Sequence, residues 1–237
     1  MPFVLTIIAG LSTLIGTIPM FIKHKNKDNI INISESFAAG VMITVSIIDL
    51  IPEGISLLNG FKDIIIFLLS INIGIVLSII INKFIPNTDN LYRVGVMSLI
   101  AIIMHNIPEG IATYLAGSLD INLGITLCIA LALHNIPEGI CISIPLYYSL
   151  KSKKKAFIYT LISSISEILG AILACMFIKN INNQINYIIL GIISGIMLYL
   201  PIYEMIPEAL KYRNIRKTFI AFISGVGVMI ISILILK

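Results

Sequence analysis

The hexapeptide HNIPEG occurs twice, at residues 105–110 and 134–139, each time inside a strongly apolar segment. Each copy holds an imidazole, a carboxamide and a carboxylate. A His and a Glu four residues apart project from one face of a helix, so His105 and Glu109 can reach one ion together, as can His134 and Glu138. Asn106 and Asn135 add amide oxygens. The proline between them lacks an N–H and clashes with the carbonyl four residues back. Pro108 should therefore free the carbonyl of Met104, and Pro137 that of Leu133, kinking each helix beside the ligands. Gly110 and Gly139 follow, and small residues let helices approach closely in a bilayer.

Imidazole nitrogen combined with carboxylate and amide oxygen suits divalent first-row metals, zinc above all. A further carboxylate, Glu167, follows Ser163, Ser164 and Ser166. Together His105, Asn106, Glu109, His134, Asn135, Glu138 and Glu167 could supply two adjacent metal sites with a bridging carboxylate. The competing reading is that the His–Glu pairs neutralise each other and pin helix packing. Two copies at one depth argue against it.

The elements that position these groups follow from composition. Of 237 residues, 58% are hydrophobic and 12% charged, and mean hydropathy is +1.03. Soluble domains carry roughly 25% charged residues, so the chain reads as an all-α integral membrane protein, its apolar runs long enough to cross a bilayer as helices. Polar clusters divide it into eight spans at about 2–22, 35–58, 62–82, 92–117, 121–149, 156–178, 186–210 and 217–236. Short connections make 1–237 a single domain, and the first run reads as a retained helix, not a signal peptide. Cys128, Cys141 and Cys175 form no CxxC pair and imply no disulfide framework.

Lys and Arg mark the cytoplasmic side. With both termini outside, the inner connections hold Lys23, Lys25, Lys27, Lys83, Arg93, Lys151, Lys153, Lys154, Lys155, Lys211, Arg213, Arg216 and Lys217, thirteen of sixteen basic residues. Lys62, Lys179 and Lys237 remain outside. The net charge of +4 therefore reports topology, not nucleic-acid binding, and His24 in a basic loop is read as solvated. At about 1.5 Å per residue, His105 and His134 both lie about 20 Å in from opposite faces, and Glu167 about 16 Å in. Ionisable groups at that depth are functional by default.

Weaker echoes of the motif, IDLIPEG at 48–54 and YEMIPEA at 203–209, fall on spans two and seven. Spans one to three then match six to eight by inversion around a central pair, a 3+2+3 arrangement with broken helices and a midplane site, as in transporters. Asp49 and Glu53 fall toward the outer mouth, Glu204 and Glu208 toward the inner one, marking a cation path. Carboxylates there without permanent partners would have perturbed protonation, which allows proton exchange on release. Met42, seven residues before Asp49, is a soft ligand candidate on the same path, although Met is usually filler. Cys141 shares the face of His134 and Glu138. Glu35, after Ser34, reads as a cap on the second span, with no function required.

On these residues the whole chain resembles the ZIP (Zrt/Irt-like) metal transporter family, in particular its bacterial ZupT-like and GufA-like members. The resemblance implies a binuclear centre between spans four, five and six, formed by the seven ligands named above. Met42 and Asp49 fall roughly where the family's second helix contributes. It also implies uptake of Zn²⁺, and of Fe²⁺, Mn²⁺, Co²⁺ or Cd²⁺, across a bacterial inner or plasma membrane, with the metal as substrate. The intact His105/His134 pair resembles the broad-specificity type. The connection NKFIPNTDNLYR departs from many members in having no His, which puts a metal-handling role for that loop in doubt. The expected partners are divalent metal ions and the lipid bilayer, with no nucleic acid, and a homodimer is left open. The rival classes are an intramembrane zinc metallohydrolase and a metal sensor; the helical HExxH signature of the former is absent.

Overall fold

The computed structural model describes residues 1–22, 26–85, 89–177 and 183–236. Lys23, His24, Lys25, Lys179 and Lys237 lie outside the described residues. Eight helices are long and apolar enough to cross a membrane: α1 (Pro2–Phe21), α2 (Lys27–Ser56), α3 (Phe61–Phe84), α4 (Asn90–Leu119), α5 (Ile121–Leu150), α6 (Lys153–Met176), α7 (Gln184–Leu210) and α8 (Ile215–Leu234). No strand occurs among the described residues.

Helix starts follow local capping chemistry. The second span begins about two turns earlier than its apolar run suggests, because Asn26 caps it: its side chain accepts from the Asn29 N–H at 3.0 Å. The reading of Glu35 as a cap is therefore wrong. Glu35 lies well inside α2 and is completely buried. Between α4 and α5 the connection is one residue. The Asp120 N–H donates to the Ala116 carbonyl at 2.9 Å, closing α4, and its side chain accepts from the Asn122 N–H at 2.8 Å, opening α5.

The prolines act differently in the two kinds of motif. Both α4 and α5 run as continuous α-helices through Pro108 and Pro137. Spans two and seven instead widen into π-helical turns at Val45–Leu50 and Pro201–Met205, directly before the segments that begin Ile51-Pro52 and Ile206-Pro207. The carbonyls four residues before Pro52 and Pro207 belong to Ile48 and Tyr203, inside those turns. A wider turn moves that carbonyl away from the ring. The stronger helix irregularity thus accompanies the echoes, not the HNIPEG pair. In α1 the chain tightens from α-helix into a 3₁₀ stretch at Thr13–Phe21.

Packing pairs α4 with α6 and α5, α5 with α1, α2 with α8, and α3 with α7. Two glycine contacts hold the centre together. A Cβ on Gly110 would collide with the Glu167 carbonyl oxygen, and one on Gly170 with that of Ile107, so α4 and α6 touch backbone to backbone. Gly139 and Gly16 do the same for α5 and α1, against the carbonyls of Thr13 and Ile136. The outward faces are apolar: Ile64, Ile65, Leu68, Leu69 and Ile73 of α3 are exposed, as helices in contact with lipid require.

Candidate metal centre

Consecutive turns of α4 and α5 place the motif residues face to face. The imidazoles of His105 and His134 lie nearly parallel, centroids 5.8 Å apart and planes at 21°. Glu109 sits between them, its Oε1 at 2.9 Å from His105 Nε2 and 2.6 Å from His134 Nε2. Glu138 approaches from α5, with Oε1 at 3.8 Å from His105 Nε2. One ligand atom each from His105, His134 and Glu138 falls within 4.8 Å of the others, a spacing that would hold a metal ion. All four side chains are buried.

The asparagines hold carboxylates across helix boundaries. Turned so that its polar atoms are satisfied, the Asn106 amide donates to the Ile102 carbonyl at 2.9 Å and to Glu138 Oε2 at 3.2 Å. Asn135 donates to Glu167 Oε2 at 2.7 Å and to the Ala9 carbonyl at 2.9 Å. Glu167 thereby joins the cluster from α6, completing the three-helix arrangement expected from depth. Orphaned atoms remain among these buried groups: Glu109 Oε2, Asn135 Oδ1, Glu138 Oε1, Glu167 Oε1 and His105 Nδ1 have no hydrogen-bond partner. Buried polar atoms in native proteins are overwhelmingly paired. A pocket of unpaired oxygens beside imidazole nitrogens is what a cation would satisfy.

The cluster opens toward the carboxylates of α2. A cavity of about 280 Å³ is lined by Asp49, Glu53, His105, Pro108 and Glu109, with apolar walls from Leu127 and Leu131. A second, of about 370 Å³, shares Glu53, Pro108 and Ala112 and extends to Leu115 and Asn186 near the ends of α4 and α7. Asp49 and Glu53 therefore line the same cavity as Glu109. Met42 is fully buried in the apolar core that includes Ile102, Cys141 and Met197.

The inner carboxylates do not share one mouth, and both have partners. Glu204 is bound by the Asn82 amide and lies 3.8 Å from Arg93 Nη2, while Asn82 Oδ1 accepts from Arg93 at 2.8 Å. Glu208, a turn later, faces α2 and pairs with Lys211 at 2.5 Å. The expectation of unpartnered carboxylates fails at these two positions: residues of one helix separated by four still diverge once a π turn shifts the register.

Sequence reasoning missed Glu35. The signal was present, since Glu35, Met42 and Asp49 recur at seven-residue spacing, two turns apart on one face.

A family profile described as ZIP Zinc transporter matches residues 86–233. The chain is similar to Zinc transporter ZupT of Streptococcus mutans, 40% identical over 254 aligned positions that cover 98% of this chain and 96% of that protein. It is also similar to Zinc transporter ZupT of Clostridium perfringens, 35% identical over 271 aligned positions that cover 99% of this chain and 95% of that protein.

Proposed function

The chain belongs to the ZIP zinc transporter family, a multi-pass membrane protein that moves divalent metal, and from that premise we propose that His105, His134, Glu109 and Glu138 form its midplane binding site. The observation that carries the reading is Glu109 seated between two parallel imidazoles, with Glu138 closing the set. Nitrogen and oxygen ligands of this kind favour zinc among hard and borderline dications. The orphaned oxygens of Asn135, Glu167 and Glu109 supply an adjacent, oxygen-rich position, and Glu109, whose Oε1 meets both imidazoles while its Oε2 is unpaired, is the bridge.

Metal enters from outside past Glu53 and Asp49, whose cavity reaches Glu109. Net movement is uptake into the cytoplasm of a bacterial cell, the direction that membership of the family supports. The reciprocal glycine contacts of α4 with α6 and of α5 with α1 support the two-fold inverted arrangement. The protein acts as a transporter, not a hydrolase.

Zinc flux into proteoliposomes tests the site. Wild type should transport, and Glu138→Ala should lose transport and zinc binding at His105/His134 together; unchanged flux in the mutant for every metal tried would sink the assignment. A milder effect is expected at the entrance. Glu53→Gln removes charge from the outer cavity without touching the histidines, so KM should rise by about threefold with kcat unchanged, and the difference should shrink at high salt because charge attraction is screened.

A further inference from the structure

Glu35 is completely buried in α2, and neither of its carboxyl oxygens has a hydrogen-bond partner. One turn earlier Asn32, also completely buried, donates from Nδ2 to the Ala209 carbonyl and to Thr218 Oγ1, both at 2.8 Å. This pins α2 against the end of α7 and the start of α8. Asn32 Oδ1 is left without a partner. Three orphaned atoms on adjacent turns are thus all acceptors, and a donor-free pocket of this kind is completed by a cation. Glu208, next to Ala209 in sequence, is the acidic neighbour whose charge bears on Glu35. The phenol of Tyr212, just past α7, is held well above its ordinary pKa by burial first and then by the carboxylates of Glu208, Asp28, Glu35 and Asp89. Acidic charge is therefore concentrated here. On the other side, Cys141 of α5 lies within the influence of both Glu138 and Glu35, so Glu35 stands between the midplane cluster and the basic end of the bundle.

We propose that Glu35, Glu208 and the Asn32 oxygen form an inner binding site for the transported dication, which receives it from the midplane centre before release. The inference rests on the transporter reading above. The ion displaces Lys211, whose half-exposed side chain can swing into water, from the Glu208 carboxylate. The carboxylates and amide favour hard or borderline dications at this step.

The test uses the full chain. Crystals of wild-type protein soaked in Cd²⁺ should show an anomalous peak between Glu35 and Glu208 in addition to density at the midplane. Glu35→Gln should keep zinc binding at His105/His134, bind one equivalent fewer overall, and reduce zinc influx at least tenfold, with Glu35→Asp recovering part of the rate. Midplane cadmium without an inner peak would overturn the proposal even if Glu35→Gln failed to fold, as would wild-type influx in that variant. A wild-type protein that moved no metal would defeat the transporter reading instead, and the cadmium map would still report on the inner site separately.

Discussion

Glu109→Ala is expected to abolish zinc transport, with influx falling ~100-fold or more, since disturbing even the outer partners of a metal site costs 10–100-fold. No other side chain in the cluster touches both imidazoles: its Oε1 lies 2.9 Å from His105 and 2.6 Å from His134. Removing it leaves two buried rings facing each other across an empty gap, with Glu138 too distant at 3.8 Å to replace it. Both the ligand set and the local packing are lost. Glu109→Gln separates the two, since it preserves volume and removes the charge. Thermal melting gives an independent measure. A ligand that binds only the folded state raises the melting temperature with its concentration, so zinc should stabilise wild type, and both variants should lose the part of that shift due to the His105/His134 centre. An undiminished zinc-dependent shift in Glu109→Gln would mean that the carboxylate is not a ligand.

Gly110→Val is expected to be nearly as damaging by another route. The added Cβ would overlap the Glu167 carbonyl oxygen, and the obstacle is backbone, which cannot swing aside. Overpacking costs typically 1–3 kcal/mol and sometimes more, so a loss of about 3 kcal/mol and a melting temperature lower by ~10 °C are expected. Forcing α6 away from α4 also draws Glu167 from Asn135, so binding at the oxygen-rich position should weaken. Gly227→Ala is the control. Nothing lies within 4 Å of a Cβ built there, and both stability and flux should match wild type. Equal losses in the two variants would show that helix flexibility, not contact, is the reason for glycine at position 110.

The midplane cluster was legible because its signal is local twice over. His105 with Glu109, and His134 with Glu138, each obey the spacing that puts two side chains on one helix face, and equal depth in adjacent spans brings the faces together. Glu167 needed only the depth argument, and in the structure it accepts from Asn135. What could not be read was set by long-range partners or by helix register. Glu204 looks available until Asn82 and Arg93 arrive from α3 and α4. Glu208 and Glu204 seem to share a face until the π turn at Pro201–Met205 rotates them apart. Glu35 was masked by polar neighbours: Asn32, Ser34 and Ser36 beside it look like a wet helix end, yet all are buried against protein. In a membrane protein, polarity near a span's end marks either water or the interior of the bundle, and only packing tells them apart.

The one-residue connection at Asp120, capping one helix and starting the next, has a practical consequence. With no slack between them, the end of α4 and the start of α5 stay adjacent while other helices move. Paired spectroscopic labels on the outer turns of these two helices should therefore report one invariant separation. That distance is a built-in ruler, against which the displacement of every other helix can be measured.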